Sequence, residues 1–414
     1  MKKRIVATAI LGSVALLLSA CSSAEGEKAG GTTTISFSHW GNNEEAATLK
    51  SMVAAFKKGN PDVDVQINWV QSDYEQKLQT TIAGGKQPTV AQISNNTLPG
   101  FAAAFAKQDV DSSAYYTDTF VKSMTVAGEV KATPFVAKPK VMAVNAALFK
   151  AAGVDLPSAD TPMSVVDFIA LAKKLTSGTG KSKKFGSGPL YYPNWLITNG
   201  GGVYNAAGDK CTLDSPIAAT AADTMIAARA ADGFTPTPAD ADGQDMFEWL
   251  ATGRLAMQPD FGPWDIPKLV ALKDPDIKLV RVPGAGQPME VTGLGISSKA
   301  TGAEKTAATA FVKFMSTSTD AQSLLTTAKA SLGVPVINGA LDSFKQVAPD
   351  LNLAAFTEAV KVGVVEPGTV KDPQIRTAML EALNNDTALG AGKQDPAKVL
   401  AAFNQTCQSM LGQG

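Results

Sequence analysis

The period of the hydrophobic pattern changes repeatedly along the chain. Residues 33–40, "TTISFSHW", read as a strand, and "NEEAATLKSMVAAFKKGNP" reads as a helix with Leu49, Val53 and Phe56 on one face and Gly59 near its stop. "VDVQINWV" (63–70) alternates strictly, with Val63, Val65, Ile67 and Trp69 on one side and Asp64, Gln66 and Asn68 on the other. A second helix is predicted from about 73 to 83, then a strand at "PTVAQIS". Strands alternating with helices predict α/β architecture with a largely parallel sheet.

"TPFVAKPKVMAVNAALFKAAGV" (133–154) is an extended segment running into a helix. Its prolines, 134 and 139, suit an edge or crossing strand better than a central one. "TPMSVVDFIALAKKLTS" (161–177) is predicted helical with a proline near its first turn, and 178–208 is predicted to be a loop rich in Gly, Pro and aromatics. Helices near 216–231 and 243–252 and strands at "IKLVRVP" and "TGLGISS" follow; beyond 302 the pattern is mostly helical. No internal repeat is visible.

The N-terminus departs from this pattern. Lys2, Lys3 and Arg4 precede an uncharged apolar stretch, Ile5 to Ala20, which is shorter than a membrane-spanning helix needs. Leu18-Ser19-Ala20-Cys21 resembles a bacterial lipoprotein cleavage box, in which the cysteine is diacylated and the chain is cut just before it. An uncleaved anchor or an ordinary signal peptide would leave the cysteine at that seam unexplained. Two acyl chains supply the second signal that stable anchoring requires. The expected organisation is a signal peptide over 1–20 and a flexible, Gly/Ser/Thr-rich tether over 21–31.

Cleavage there would leave 34 basic against 38 acidic residues, a net charge of −4, with no basic excess to hold nucleic acid. About 390 residues exceed one ordinary core, so two domains are expected. After Cys21, Cys211 and Cys407 remain, which permits one disulfide outside the cytoplasm or two separate buried thiols. His39 is the single histidine. That excludes a multi-histidine zinc site, so no metal is expected; a Ser–His–Asp triad would have to use His39, and no G-x-S-x-G surrounds any serine. "GTGKS" (178–182) has Leu175 where a phosphate loop needs glycine, and "NGGGVYN" (199–205) lacks the strand–GxGxxG–helix frame, so no nucleotide cofactor is expected.

The order of segments resembles the family 1 extracellular solute-binding proteins of bacterial ABC importers, the carbohydrate group that includes maltose-binding protein. The carrying pieces are "ISFSHWGNNEE", "FKKGNPDVDVQI", "LQTTIAGGKQPTV", "PFVAKPKVMAVNAALFKAAGVDLP", "GRLAMQPDFGPWDI" and "VTGLGISSKATGAEKTAATAFVKFMS". Two departures are Pro88-Thr89, where the family often has Pro-Asp, and Val144, where a tyrosine is common. The resemblance implies a two-lobe periplasmic-binding-protein fold of type II, with the ligand cleft between lobes. By motif position, one lobe is expected over 32–137 plus 292–338 and the other over 139–290 plus 339–414. It also implies a monomer anchored by lipid on the extracytoplasmic face, a carbohydrate ligand and ABC permease partners, with no cofactor.

A sugar needs flat apolar surfaces and fixed polar groups. Trp264, lifted out by the Gly262-Pro263 turn, matches the family's sugar-stacking tryptophan. Tyr192, Trp195 and Phe261 are further aromatic candidates; Trp40, Asn42, Glu44, Asn95 and Asn96 are candidates at strand ends, where α/β sheets present ligands. Lys138 stands where the maltose-binding group places a sugar-facing acid, with Lys140 on the same strand face. It would donate to a neutral sugar, pair with Glu44, or bind an anionic sugar derivative or glycerol phosphate. A secreted glycoside hydrolase is the rival class: Glu44, Glu45, Asp260 and Asp265 supply carboxylates, but no paired signature unites them. Replacing Cys21→Ser should release the protein from membranes with ligand binding intact; membrane retention of that variant on fractionation would refute the lipid reading.

Overall fold

The computed structural model describes residues 31–241, 243–274, 276–384 and 394–412. The expected signal peptide, Cys21 and the tether through residue 30 lie outside the described residues. The strands, in chain order, are β1 Thr33–Trp40, β2 Val63–Val70, β3 Val90–Ser94, β4 Thr125–Val126, β5 Glu129–Val130, β6 Thr133–Pro139, β7 Val141–Asn145, β8 Met257–Phe261, β9 Ile277–Val280, β10 Gln287–Ile296 and β11 Gly363–Val364.

One sheet has the order β11-β10-β3-β1-β2, with β6 also on β10. β1 pairs in parallel with β2 and β3, whereas β10 runs antiparallel to β3 and β6. β2 is an edge, which explains why its alternating face is only partly covered: Val65 is buried while Trp69 is exposed. The helix Asn43–Gly59 covers this sheet with Leu49, Met52, Val53 and Phe56, and Gly302–Thr317 adds Phe311 and Met315. Phe56 and Phe37 both meet the Phe311 ring edge-on at 5.2 Å. Such aromatic burial stabilises each residue by roughly 1.5–3 kcal/mol.

The second sheet is β8-β7-β9, antiparallel throughout. β7 is its centre, which is why "VMAVN" is buried at every position. β6 has ladder pairing with β10 alone, plus a single bridge from Ala137 to Val334, so Pro134 and Pro139 cost it little. Only Lys140 separates β6 in one sheet from β7 in the other. β10 bonds within the first sheet from Gln287 onward, so the expected lobe limits at 290 and 292 fall inside one strand.

Two local expectations are corrected. The helix expected over 161–177 starts at Val165, because Ser164 accepts the Asp167 N–H as its cap; Pro162 lies before it. The segment 178–208 is not all loop: Pro193, at the first turn, starts a helix over Tyr192–Thr198.

Cys211 and Cys407 are bridged, with Cα atoms 6.2 Å apart, between fully buried positions of the second lobe's core. The bond ties the "GGVYN" region to the C-terminal helix Pro396–Leu411. A sequence separation of 196 residues is worth about 5 kcal/mol in the chain-entropy model. A soluble form beginning at residue 31 should therefore show no free thiol when denatured without reductant. Reduction should lower its unfolding free energy by about 2–5 kcal/mol in denaturant titration. Two reactive thiols before reduction would contradict the bridge.

Candidate functional site

The first sheet ends at a strand-to-helix turn, "WGNN", that builds one wall of a cleft. Gly41 has φ 138°, a conformation open to glycine, and the Trp69 indole N–H donates to its carbonyl at 2.9 Å. Asn42 then caps the helix: its Oδ1 accepts the Glu45 N–H at 2.9 Å, and Glu45 accepts the Asn42 N–H at 2.8 Å. This reciprocal cap aims Asn42 and Glu45 together. Glu44 is exposed and does not line the cavity that Glu45 lines, so the expectation for Glu44 is corrected by one residue of helix phase. Trp40 is half-buried with its ring 5.0 Å from Tyr74, whose hydroxyl donates to the Ser38 carbonyl. His39 is fully buried; burial lowers its pKa, and its Nδ1 bonds the Trp40 carbonyl.

From the second lobe comes Trp264, 40% exposed. A Cβ at Gly262 would overlap its indole, so glycine there is what lets the ring fold back over the turn. Trp264, Trp40, Asn42, Glu45, Glu75, Ser94, Lys138 and Glu290 enclose a cavity of about 450 Å³. Beside it a second compartment of about 200 Å³ is lined by Asn96, Lys140, Tyr191, Asn194, Glu366 and Arg376, and Glu290 borders both. A cavity of similar size, about 430 Å³, lies in the first lobe between Tyr115 and Lys313. The interlobe cleft is the candidate ligand site, because aromatic and polar side chains from both lobes converge there.

The two crossing lysines have different partners. β6 and β10 set Lys138 opposite Glu290, and Lys138 Nζ lies 3.5 Å from Glu290 Oε1 and 5.1 Å from the Trp40 ring. Its ion-pair partner is thus Glu290, not Glu44. Lys140 Nζ sits 4.2 Å from the Trp264 ring centroid. Across both compartments Glu45, Glu75, Glu290 and Glu366 face Lys138, Lys140 and Arg376.

The other predicted aromatics are elsewhere. Tyr192 is fully buried and its hydroxyl donates to the Ala218 carbonyl. The helix begun by Pro193 turns Tyr192 inward and leaves its neighbour Tyr191 in the cleft. Trp195 is 3% exposed and packs on Phe168 at 5.6 Å. Phe261 is core, 6.5 Å from Phe247. Asn95 is consumed structurally: its Oδ1 accepts the Val291 N–H at 2.9 Å and its amide donates to the Glu366 carbonyl at 3.0 Å. Asn96 is the one of the pair that lines the cleft. Of the predicted residues, the structure brings together Trp40, Asn42, Lys138 and Trp264 in one compartment and Asn96 in the next.

Residues 40–322, more than half of the chain, match the bacterial extracellular solute-binding protein family. The chain belongs to this family. A lipoprotein of Streptomyces antibioticus, described by its place in the oleD 5′ region, is 28% identical over 280 residues. That match covers 61% of this chain and 58% of the relative's length. Three solved structures share the two-lobe binding-protein fold. Lmo0181 of Listeria monocytogenes, in complex with cycloalternan, gives a TM-score of 0.78 at 23% identity, covering 92% of this chain and 99% of that one. MalE of Xanthomonas citri, a sugar-binding protein, gives 0.78 at 16%, with 92% and 98% covered. UgpB of Mycobacterium tuberculosis, in complex with glycerophosphocholine, gives 0.75 at 19%, with 92% and 99% covered.

In this solute-binding protein the residues that sequence reading missed come from remote segments. Arg376 donates from Nε to Asp372 at 2.8 Å and from Nη2 to Glu366 at 2.9 Å. Glu366 also accepts the Val203 N–H, so the segment at 366 is bonded to both lobes. Burial alone would lower the Arg376 pKa, but the two carboxylates outweigh it and hold the guanidinium charged; burial raises Asp372 against the pull of Arg376. Removing one partner of a buried ionic cluster leaves an uncompensated charge. Arg376→Met should therefore lower unfolding free energy by about 3–5 kcal/mol in denaturant titration. A loss under about 1 kcal/mol would mean that the cluster is solvated.

Proposed function

We propose that the protein captures a neutral carbohydrate in the interlobe cleft and passes it intact to an ABC importer, held at the membrane by a diacylated Cys21. The observation that carries this reading is the half-exposed Trp264 indole, sharing a cavity of about 450 Å³ with Trp40 and a rim of Asn42, Glu45 and Glu290. Indole faces suit the C–H patches of a sugar ring, and carboxylates accept from its hydroxyls. The carbohydrate ligands of family proteins with this fold, cycloalternan among them, agree with that chemistry. The family name and the lipoprotein relative support an extracytoplasmic, lipid-anchored location. Among the described residues no helix is long and apolar enough to cross a membrane. The β6–β7 junction at Lys140 and the entry to β10 near Gln287 support a first lobe that runs to about Pro139 and resumes near Gln287, slightly beyond the limits read from the motifs.

Turnover is not part of the proposal. Glu45 is held in a helix cap, Asp260 accepts from the Asn194 amide, and Asp265 pairs with Lys268 at 3.3 Å, so none stands free as one of a facing acid pair. An anionic ligand is disfavoured by the same charges. In the larger compartment Lys138 faces Glu45, Glu75 and Glu290, and it is already paired with Glu290.

Titrating a panel of neutral sugars and their acidic derivatives tests the reading. Neutral sugars should stabilise the protein saturably and be recovered intact. Trp264→Ala should weaken binding by about 1–3 kcal/mol, roughly ten- to hundredfold. Unchanged affinity in a folded variant would remove Trp264 from the site, and preference for the acid, lost in Lys138→Met, would overturn the neutral ligand.

A further inference from the structure

We propose that Lys140 is a movable cover on the Trp264 ring, which a ligand displaces toward Asp260, so that Lys140 helps to set which sugars bind. This rests on the cleft being a carbohydrate site.

Lys140 has a fixed backbone and a free head. It stands between Pro139 and Val141, and its N–H donates to the Pro288 carbonyl at 2.8 Å. Among the described residues no carboxylate lies within ion-pair distance of its ammonium, and Glu290 pairs with Lys138. Instead the ammonium lies over Trp264. Lys140 lines the smaller compartment and Trp264 the larger, so the contact sits on the boundary between them. A sugar ring that packs on the indole from that side has to displace the ammonium. Cation–π contacts at half-exposed rings are weak enough to be exchanged.

A destination is built nearby. Asp260, one residue before the end of β8, has a positive φ of 71°, a conformation that few residues other than glycine, asparagine and aspartate adopt and that concentrates at ligand sites. Its carboxylate accepts from the Asn194 amide. Burial raises its pKa, and Lys140 is the charge that favours its ionised form. An ammonium moved from Trp264 toward Asp260 neutralises a desolvated carboxylate while it uncovers the ring. Only a ligand with a flat C–H face regains the lost ring contact. Pyranosides should therefore open this cover, and open-chain polyols should not.

The test is a double-mutant cycle with Lys140→Ala and Asp260→Asn, read by calorimetric titration with maltose, maltotriose, trehalose and sorbitol. Asparagine keeps the amide contact and tolerates the left-handed backbone. Lys140→Gln, of similar length without charge, guards against a folding defect. Lys140→Ala and Lys140→Gln should tighten binding of the responding sugar by about two- to fivefold, the scale of one exposed cation–π contact. Asp260→Asn should weaken it with Lys140 present and leave it unchanged without Lys140. Additive effects, or weaker binding in both Lys140 variants, would overturn the proposal while leaving the sugar site intact. If no sugar of the neutral panel binds wild-type protein, the carbohydrate reading falls and this inference with it.

Discussion

The cleft depends on how the chain leaves one sheet and enters the next. β6 is zipped to β10 across the first sheet, β7 is the centre of the second, and one residue lies between them. Neither strand can shift without breaking a buried ladder, so Lys138 and Lys140 are delivered to the cleft at fixed height. Pro134 and Pro139 are compatible with this because β6 needs ladder donors on one side only. The crossing is a stiff joint between the two sheets.

A second tie runs through Glu366. Asn95 joins it to β10, and Arg376 joins it to the helix Asp372–Asn384. Buried ion pairs of this kind are weak evidence for stability, since desolvation offsets much of the attraction. Their value here is geometric. Arg376 is oriented by two carboxylates and still borders the smaller compartment, so it presents a fixed donor array rather than a free charge. The same logic applies to Lys138 with Glu290. The cleft is rich in charge yet nearly balanced, a character suited to hydroxyl groups rather than to a strong anion or cation.

Much of the fold was legible because its signals are local. The alternation of 63–70, the Leu49–Val53–Phe56 face and the two prolines of β6 each report their own environment. The candidate site was legible only to within one residue. Tyr191 lines it rather than Tyr192, Glu45 rather than Glu44, and of the predicted pair Asn95 and Asn96 only Asn96 does. The tyrosine and glutamate differences are ones of phase, since a cap or a helix start decides which neighbour points outward, whereas Trp195 and Phe261 are core outright. Trp264 lines the cavity as its motif position implied, and Gly262 and Pro263 fix its turn from within. Glu75, Glu290, Glu366 and Arg376 carried no local signal, since they reach the cleft from three segments far apart in the chain.

The central claim is that a sugar is held by groups from both lobes, so that binding and closure are one equilibrium. A ligand touching one lobe alone would have no preference for the closed form. Small-angle scattering of the protein, with and without a saturating neutral sugar, measures this directly. The radius of gyration should fall on binding and return to its starting value when the sugar is dialysed away. Saturable binding with no change in radius would place the ligand on one lobe and contradict the account.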